Sequence, residues 1–257
     1  MRTNYILQFL MFLNIGSLIK PINLQNKKLI TISPGGFKGF YMLGVCSFIK
    51  ENYPLNQYYF SGASAGAWNA LFMTFKGEPD NFVKTILDKS IQELSSAVEI
   101  KSKIKEKILT SYNENDFDLD RLLISVSSFE KYKMKPVIYS NFENLEDAIN
   151  CCIASSHIPF VTGGITNKYQ NIYSFDGGFS KYPFSSIENI KPVLHITPDI
   201  WKKTQEKTFI QKITKFYQIR EYTTLLSRDK YDFEELYEEG YSDSENNKFY
   251  LNFFLSS

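Results

Sequence analysis

Leu29-Ile30-Thr31-Ile32-Ser33 is followed by Pro34-Gly35-Gly36-Phe37-Lys38-Gly39 and then by the helix-like stretch Phe40 to Lys50, so a β-branched run, a glycine loop and a helix succeed one another. The unit repeats at once. Tyr58-Tyr59-Phe60-Ser61 reads as a second strand, Gly62-Ala63-Ser64-Ala65-Gly66 as its loop, and Ala67 to Phe75 as its helix. Parallel strands need a helical crossover, so this alternation predicts an α/β fold, a three-layer α/β/α sandwich with a mostly parallel central sheet. In such sheets ligands gather at the carboxyl ends of the strands, where both glycine loops fall.

Outward from this core the pattern stays legible. Asn81 to Ser111 reads as one or two amphipathic helices, and its Lys101, Lys103, Lys105, Lys107 series reads as a solvated face. Arg121 to Phe129 and Pro136 to Phe142 read as strands paired antiparallel, followed by a helix from Leu145 to about Ser155 that Pro159 stops. Tyr173-Ser174-Phe175 is a brief strand running into Asp176-Gly177-Gly178, and Val193 to Thr197 is another ended by Pro198. After Trp201 the chain reads as helical and charged. With no repeat and no linker, residues 28–257 are expected to form one domain.

Residues 1–27 stand apart. Ile6 to Ile19 is apolar but interrupted by Gln8, Asn14 and Ser17, and it is shorter than a bilayer-spanning run. The segment reads as a hydrophobic anchor, an uncleaved signal, or an element that covers the domain or lies on lipid.

Composition narrows the chemistry. The 257 residues carry 29 Lys plus Arg against 28 Asp plus Glu, a formal charge of +1, so no overall field gathers nucleic acid. Cys46, Cys151 and Cys152 are too few and too badly spaced for a disulfide framework and read as buried thiols. His157 and His195, the only histidines, have no ligand spacing around them, and no metal site is expected.

Gly62-Ala63-Ser64-Ala65-Gly66 matches G-x-S-x-G between a strand and a helix, the context in which the middle serine is a nucleophile. A strand turning sharply into a helix strains that residue, and small neighbours make the strain tolerable. The glycine loop before it can present bare amides to one oxygen, as an oxyanion hole requires. Lys38 offers a cation to a substrate phosphate or carboxylate. The same loop superficially matches a dinucleotide fingerprint, but Pro34 takes the first glycine position and the second strand ends in Ser61-Gly62 instead of an acidic residue. For a proton acceptor, Asp176 is the prominent candidate, since Gly177 and Gly178 leave its carboxylate approachable. Read alone, Asp-Gly-Gly is better taken as an ordinary turn.

Together, the glycine loop, the serine turn and the downstream Asp176-Gly177-Gly178 resemble the patatin-like phospholipase family, in that family's order. The likeness extends through Arg121 to Ser127, through Ala154-Ser155-Ser156-His157-Ile158-Pro159-Phe160, and to the late Leu236-Tyr237-Glu238-Glu239-Gly240-Tyr241. The resemblance implies a Ser-Asp dyad that hydrolyses lipid acyl esters: Ser64 as nucleophile, Asp176 as base, no cofactor, and transient contact with a membrane or micelle surface. It places oxyanion amides at Gly35 and Gly36, with Ala65 as a further donor, and sets Lys38 where the family often has an arginine facing the headgroup. Pro34 replaces a common glycine and has no amide proton to give. Two alternatives stand beside this reading: a Ser-His-Asp esterase using His195, and a catalytically silent relative that binds lipid or a partner.

Overall fold

A computed structural model describes residues 27–130, 133–180, 187, 190–201 and 231–256. The expected hydrophobic segment at 1–27, apart from Lys27, and residues 202–230 of the stretch read as helical and charged after Trp201 lie outside them, whereas the end of that stretch is described and helical. Among the described residues a sheet of seven strands is flanked by helices. In chain order these are β1 (Lys28–Ile32), a 3-10 turn (Gly36–Lys38), α1 (Gly39–Asn52), β2 (Tyr58–Gly62), α2 (Ala65–Thr74), α3 (Pro79–Ile86), α4 (Lys89–Gln92) and α5 (Ala97–Ser111). Then come β3 (Leu122–Glu130), β4 (Lys133–Tyr139), α6 (Leu145–Ser155), β5 (Asn167–Tyr169), β6 (Ile172–Phe175), β7 (Leu194–Ile196), α7 (Phe233–Asn246) and α8 (Lys248–Leu255).

The centre is parallel: β1 pairs with β2 and β7, and β2 with β3, all in the same direction. Ile30, Ile32, Phe60, Leu122 and Ile124 point one way into the main core with α1, α2 and α6, while Leu29 and Leu123 face oppositely and meet Ile187. Burial on both faces is why these strands read as continuous apolar runs instead of alternating ones.

One pairing detail positions the site. β4 runs antiparallel along one edge of β3, from Ile124 to Glu130. The other edge is shared: β2 takes Leu122 to Ile124, and β6 takes Ser127 and Ser128 from the opposite direction. The exit of β2 and the exit of β6 therefore face each other along β3.

Beyond the sheet, α7 lies on α1 with backbones in contact, because a Cβ on Gly44 would sit 2.0 Å from the Tyr237 carbonyl oxygen, and one on Gly240 2.0 Å from that of Tyr41. Phe40 stacks on Phe233 at 3.9 Å, and the Tyr41 hydroxyl donates to Asp243 Oδ2 at 2.6 Å. No described helix is long and apolar enough to cross a membrane.

Candidate active site

Between the end of β2 and the start of α2 only Ala63 and Ser64 remain, so the chain reverses in two residues. Ser64 accordingly sits at φ 55°, ψ −125°, a region that costs a side-chain-bearing residue about 1–3 kcal/mol. The surroundings enforce it. The Ser64 amide donates to Ser155 Oγ at 2.8 Å, and that hydroxyl donates to the Ser125 carbonyl at 2.7 Å. A Cβ on Gly62 would lie 2.0 Å from the Gly66 carbonyl oxygen, and one on Gly66 2.2 Å from that of Ile32, so both glycines are demanded by close backbone approach. Ser64 is buried and lines a cavity together with Asp176.

Asp176 arrives from β6, head-on to the serine turn. Its amide donates to the His157 carbonyl at 2.7 Å, and its Oδ1 accepts from the Gly178 amide at 2.8 Å. A Cβ on Gly177 would meet the Ser125 carbonyl oxygen at 2.3 Å and Ala63 Cβ at 2.8 Å, so this turn rests directly on the turn carrying Ser64. The carboxyl is 0% exposed, and Oδ2 has no hydrogen-bond partner among the described residues. The Ser64 hydroxyl stands close enough to act on the carboxylate, yet outside full hydrogen-bond geometry with it. Burial raises the Asp176 pKa to about 6, opposed by the Ser64 hydroxyl, the Gly178 amide and the charge of Lys101.

The loop after β1 presents backbone. Gly36 has φ 54°, a left-handed conformation that explains glycine there, and Gly36–Lys38 form the 3-10 turn before α1. The amides of Gly35, Gly36 and Ala65 are not taken up by any hydrogen bond among the described residues. The two loops touch, since a Cβ on Gly39 would lie 2.8 Å from Ala65 Cβ, and Asn69 Nδ2 donates to both the Gly39 and Ala65 carbonyls at 3.0 and 3.2 Å. Gly36 and Ala65 line the cavity; Gly35 and the half-buried Lys38 do not.

The cavity measures about 120 Å³ and its walls are largely apolar, with Phe40, Leu43, Trp68, Phe82, Ile104 and Ile108 among them. The sequence reading missed the one cation that lines it among the described residues. Lys101, expected on a solvated face, lines the cavity, and its Nζ donates to the Ser156 carbonyl at 3.3 Å. Burial lowers its pKa to about 8, with Asp176 pulling the other way. Lys103, Lys105 and Lys107 do pair at the surface, with Glu106, Glu146 and Asp88. The missed signal was spacing: Ala97, Lys101, Ile104 and Ile108 form one helical stripe, and all four line the cavity.

Neither histidine lines the cavity. His195 lies on β7, level with Thr31 of β1, whose hydroxyl is 2.7 Å from His195 Nδ1. His157 is buried, which lowers its pKa, and supplies only its carbonyl to the Asp176 amide.

Among solved structures, VipD from Legionella pneumophila matches with a TM-score of 0.40 and 14% identity, over 67% of this chain and 49% of that one. The heterodimeric ExoU–SpcU complex of the type III secretion system of Pseudomonas aeruginosa matches with a TM-score of 0.38 and 14% identity, over 86% of this chain and 52% of the other. The chain thus spans about half the length of these structures. No curated protein matches significantly. The family model "Patatin-like phospholipase" matches residues 30–186, more than half of the chain and the whole stretch from the glycine loop through Asp176, and on that match the chain belongs to the patatin-like phospholipase family.

Proposed function

We propose that this protein is a serine hydrolase of lipid acyl esters working through a Ser64–Asp176 dyad. The observation that carries the reading is the strained, glycine-flanked Ser64 lining an apolar cavity together with a fully buried Asp176. In the first half-reaction Asp176 takes the Ser64 proton as Oγ bonds to the ester carbonyl carbon. The oxyanion is received by amides drawn from Gly35, Gly36 and Ala65, and the amino end of α2 favours its charge. Collapse breaks the ester C–O bond, and the leaving alcohol recovers the proton from Asp176. Water then repeats the sequence on the acyl-enzyme: Asp176 takes its proton, the hydroxyl attacks, and Ser64 Oγ leaves reprotonated. The Ser64 amide, already engaged by Ser155, takes no part in the oxyanion hole.

The apolar walls suit an acyl chain. Lys38, outside the cavity, is assigned to the headgroup that remains outside with it. We read 28–257 as one hydrolase domain, supported by the close seating of α7 on α1. His195 is disfavoured as a base by its distance in the sheet and its contact with Thr31.

The test is hydrolysis of phospholipid and of a short-chain ester by wild type, Ser64→Ala, Asp176→Ala and His195→Ala, beside labelling with a fluorophosphonate. Ser64→Ala and Asp176→Ala are expected to lose about a thousandfold or more, and labelling is expected to vanish with Ser64. His195→Ala should stay near wild type. Equal hydrolysis by all four proteins would remove the mechanism.

A further inference from the structure

The loop joining α6 to β5 exposes apolar surface that the packing of the fold does not explain. Residues 157–167 contain no Asp, Glu, Lys or Arg. On the inner side Ile158 and Thr162 line the cavity. Thr162 also closes the loop on itself, its Oγ1 accepting from the Ile158 amide and donating to the Ser156 carbonyl, each at 2.7 Å. On the outer side Phe160 is 79% exposed and Ile165 63%. Phe160 moreover has φ 64°, a left-handed conformation that a bulky residue adopts at a cost of about 1–2 kcal/mol. A fold gains nothing by straining a phenylalanine in order to hold it in water, and strain kept without packing is a mark of function.

We propose that this loop is the surface by which the protein docks on a lipid bilayer, with Phe160 and Ile165 entering the lipid beside the mouth of the cavity. The proposal rests on the lipid-hydrolase reading above. Two observations favour a bilayer over a protein partner. The first is continuity: the loop that meets solvent with Phe160 lines the Ser64 cavity with Ile158 and Thr162, so a lipid leaving the bilayer along it passes over apolar surface into the site. The second is grading away from the tip. Immediately after the uncharged loop, exposed Lys168 lies 4.7 Å from the ring centroid of the half-exposed Tyr173, its cross-strand neighbour. An apolar tip backed by a tyrosine and a snorkelling lysine follows the polarity profile of a membrane interface.

The experiment uses the full chain in the Ser64→Ala background, so that lipid stays intact, and sedimentation with sucrose-loaded phosphatidylcholine vesicles. The parent is expected to sediment, and Phe160→Asn combined with Ile165→Ser to lower the partition coefficient by about tenfold or more. Because asparagine accepts the left-handed conformation better than phenylalanine, the double variant should melt at or above the parent temperature, which separates lost docking from unfolding. With Ser64 restored, the same substitutions should leave hydrolysis of a monomeric short-chain ester unchanged and lower hydrolysis of vesicle lipid about tenfold. A parent that ignores vesicles, a double variant that sediments as well as the parent, or a melting temperature lowered by several degrees overturns the proposal. Vesicle binding that depends on the loop, with no hydrolysis of either substrate, would overturn the hydrolase reading and leave the docking surface standing.

Discussion

The glycine loops after β1 and β2 make the same strand-to-helix connection in different ways. After β2 the chain turns in two residues, with Ser64 strained and Gly62 and Gly66 wedged against backbone. After β1 it takes the longer path through Pro34, Gly35 and a 3-10 turn, and the one left-handed residue there is itself a glycine. The tight turn aims a side chain; the loose one leaves amides bare. On the proposed reading, strain in the first fixes the one atom that attacks, and the second supplies bare donors that the fold holds toward the oxyanion.

Alanine in place of the two kinds of glycine is expected to separate the loops by the widest margin. In Gly66→Ala the new methyl would fall 2.2 and 2.6 Å from the carbonyl oxygens of Ile32 and Ser33, which cannot move without disturbing β1. A loss of about 4 kcal/mol or more is expected in chemical denaturation. In Gly35→Ala the methyl's tight contacts would be with side-chain atoms, Met42 Cε at 2.8 Å and Pro198 Cγ at 3.1 Å, with the Gly39 backbone nitrogen at an ordinary 3.7 Å, and φ −164° suits any residue. The expected loss is under about 1.5 kcal/mol. Equal losses would erase the distinction between the loops.

The serine turn also differs in having a buried carboxyl against it. Asp176 ionises at an ordinary carboxylate pKa in the unfolded chain but near 6 when folded, because burial penalises its charge. Between those values the folded state holds the proton and the unfolded state does not. The stability this group contributes is therefore full below about pH 4 and lost as pH rises to about 6. Asp176→Asn should consequently gain about 3 kcal/mol over wild type at pH 8 and little at pH 4, while losing activity. Denaturation at the two pH values checks this, and an equal effect at both would show that the carboxyl is not held as described.

The smallest effect concerns the cation that reaches the serine side alone. Lys101→Met should move the acid limb of kcat/KM upward from near pH 6, because the charge opposing protonation of Asp176 is gone. Lys101→Arg should keep the wild-type acid limb, whereas identical pH profiles in all three proteins would reduce Lys101 to a tether on the Ser156 carbonyl.

Much of this was legible in the chain. The β-branched run at 28–32, the aromatic run at 58–62, the glycine loops behind them and the helix at 145–155 fall where local pattern put them, because short-range sterics and apolar spacing decide such elements. The serine turn belongs here too: only a residue between close-packed glycines fits two residues of chain between strand and helix. The meeting of residues 64 and 176 is another matter. It depends on β2 and β6 sharing one edge of β3 from opposite ends, a long-range pairing that no local window contains. Lys101 is the clearest case, since its lysine neighbours invite a solvent-facing reading and only the packing of α5 against the cavity turns it inward. Likewise the exposure of Phe160 follows from a loop closed by Thr162, while composition alone would have buried that ring. Short-range rules thus wrote the parts, and the sheet's edge-sharing decided which of them face one another.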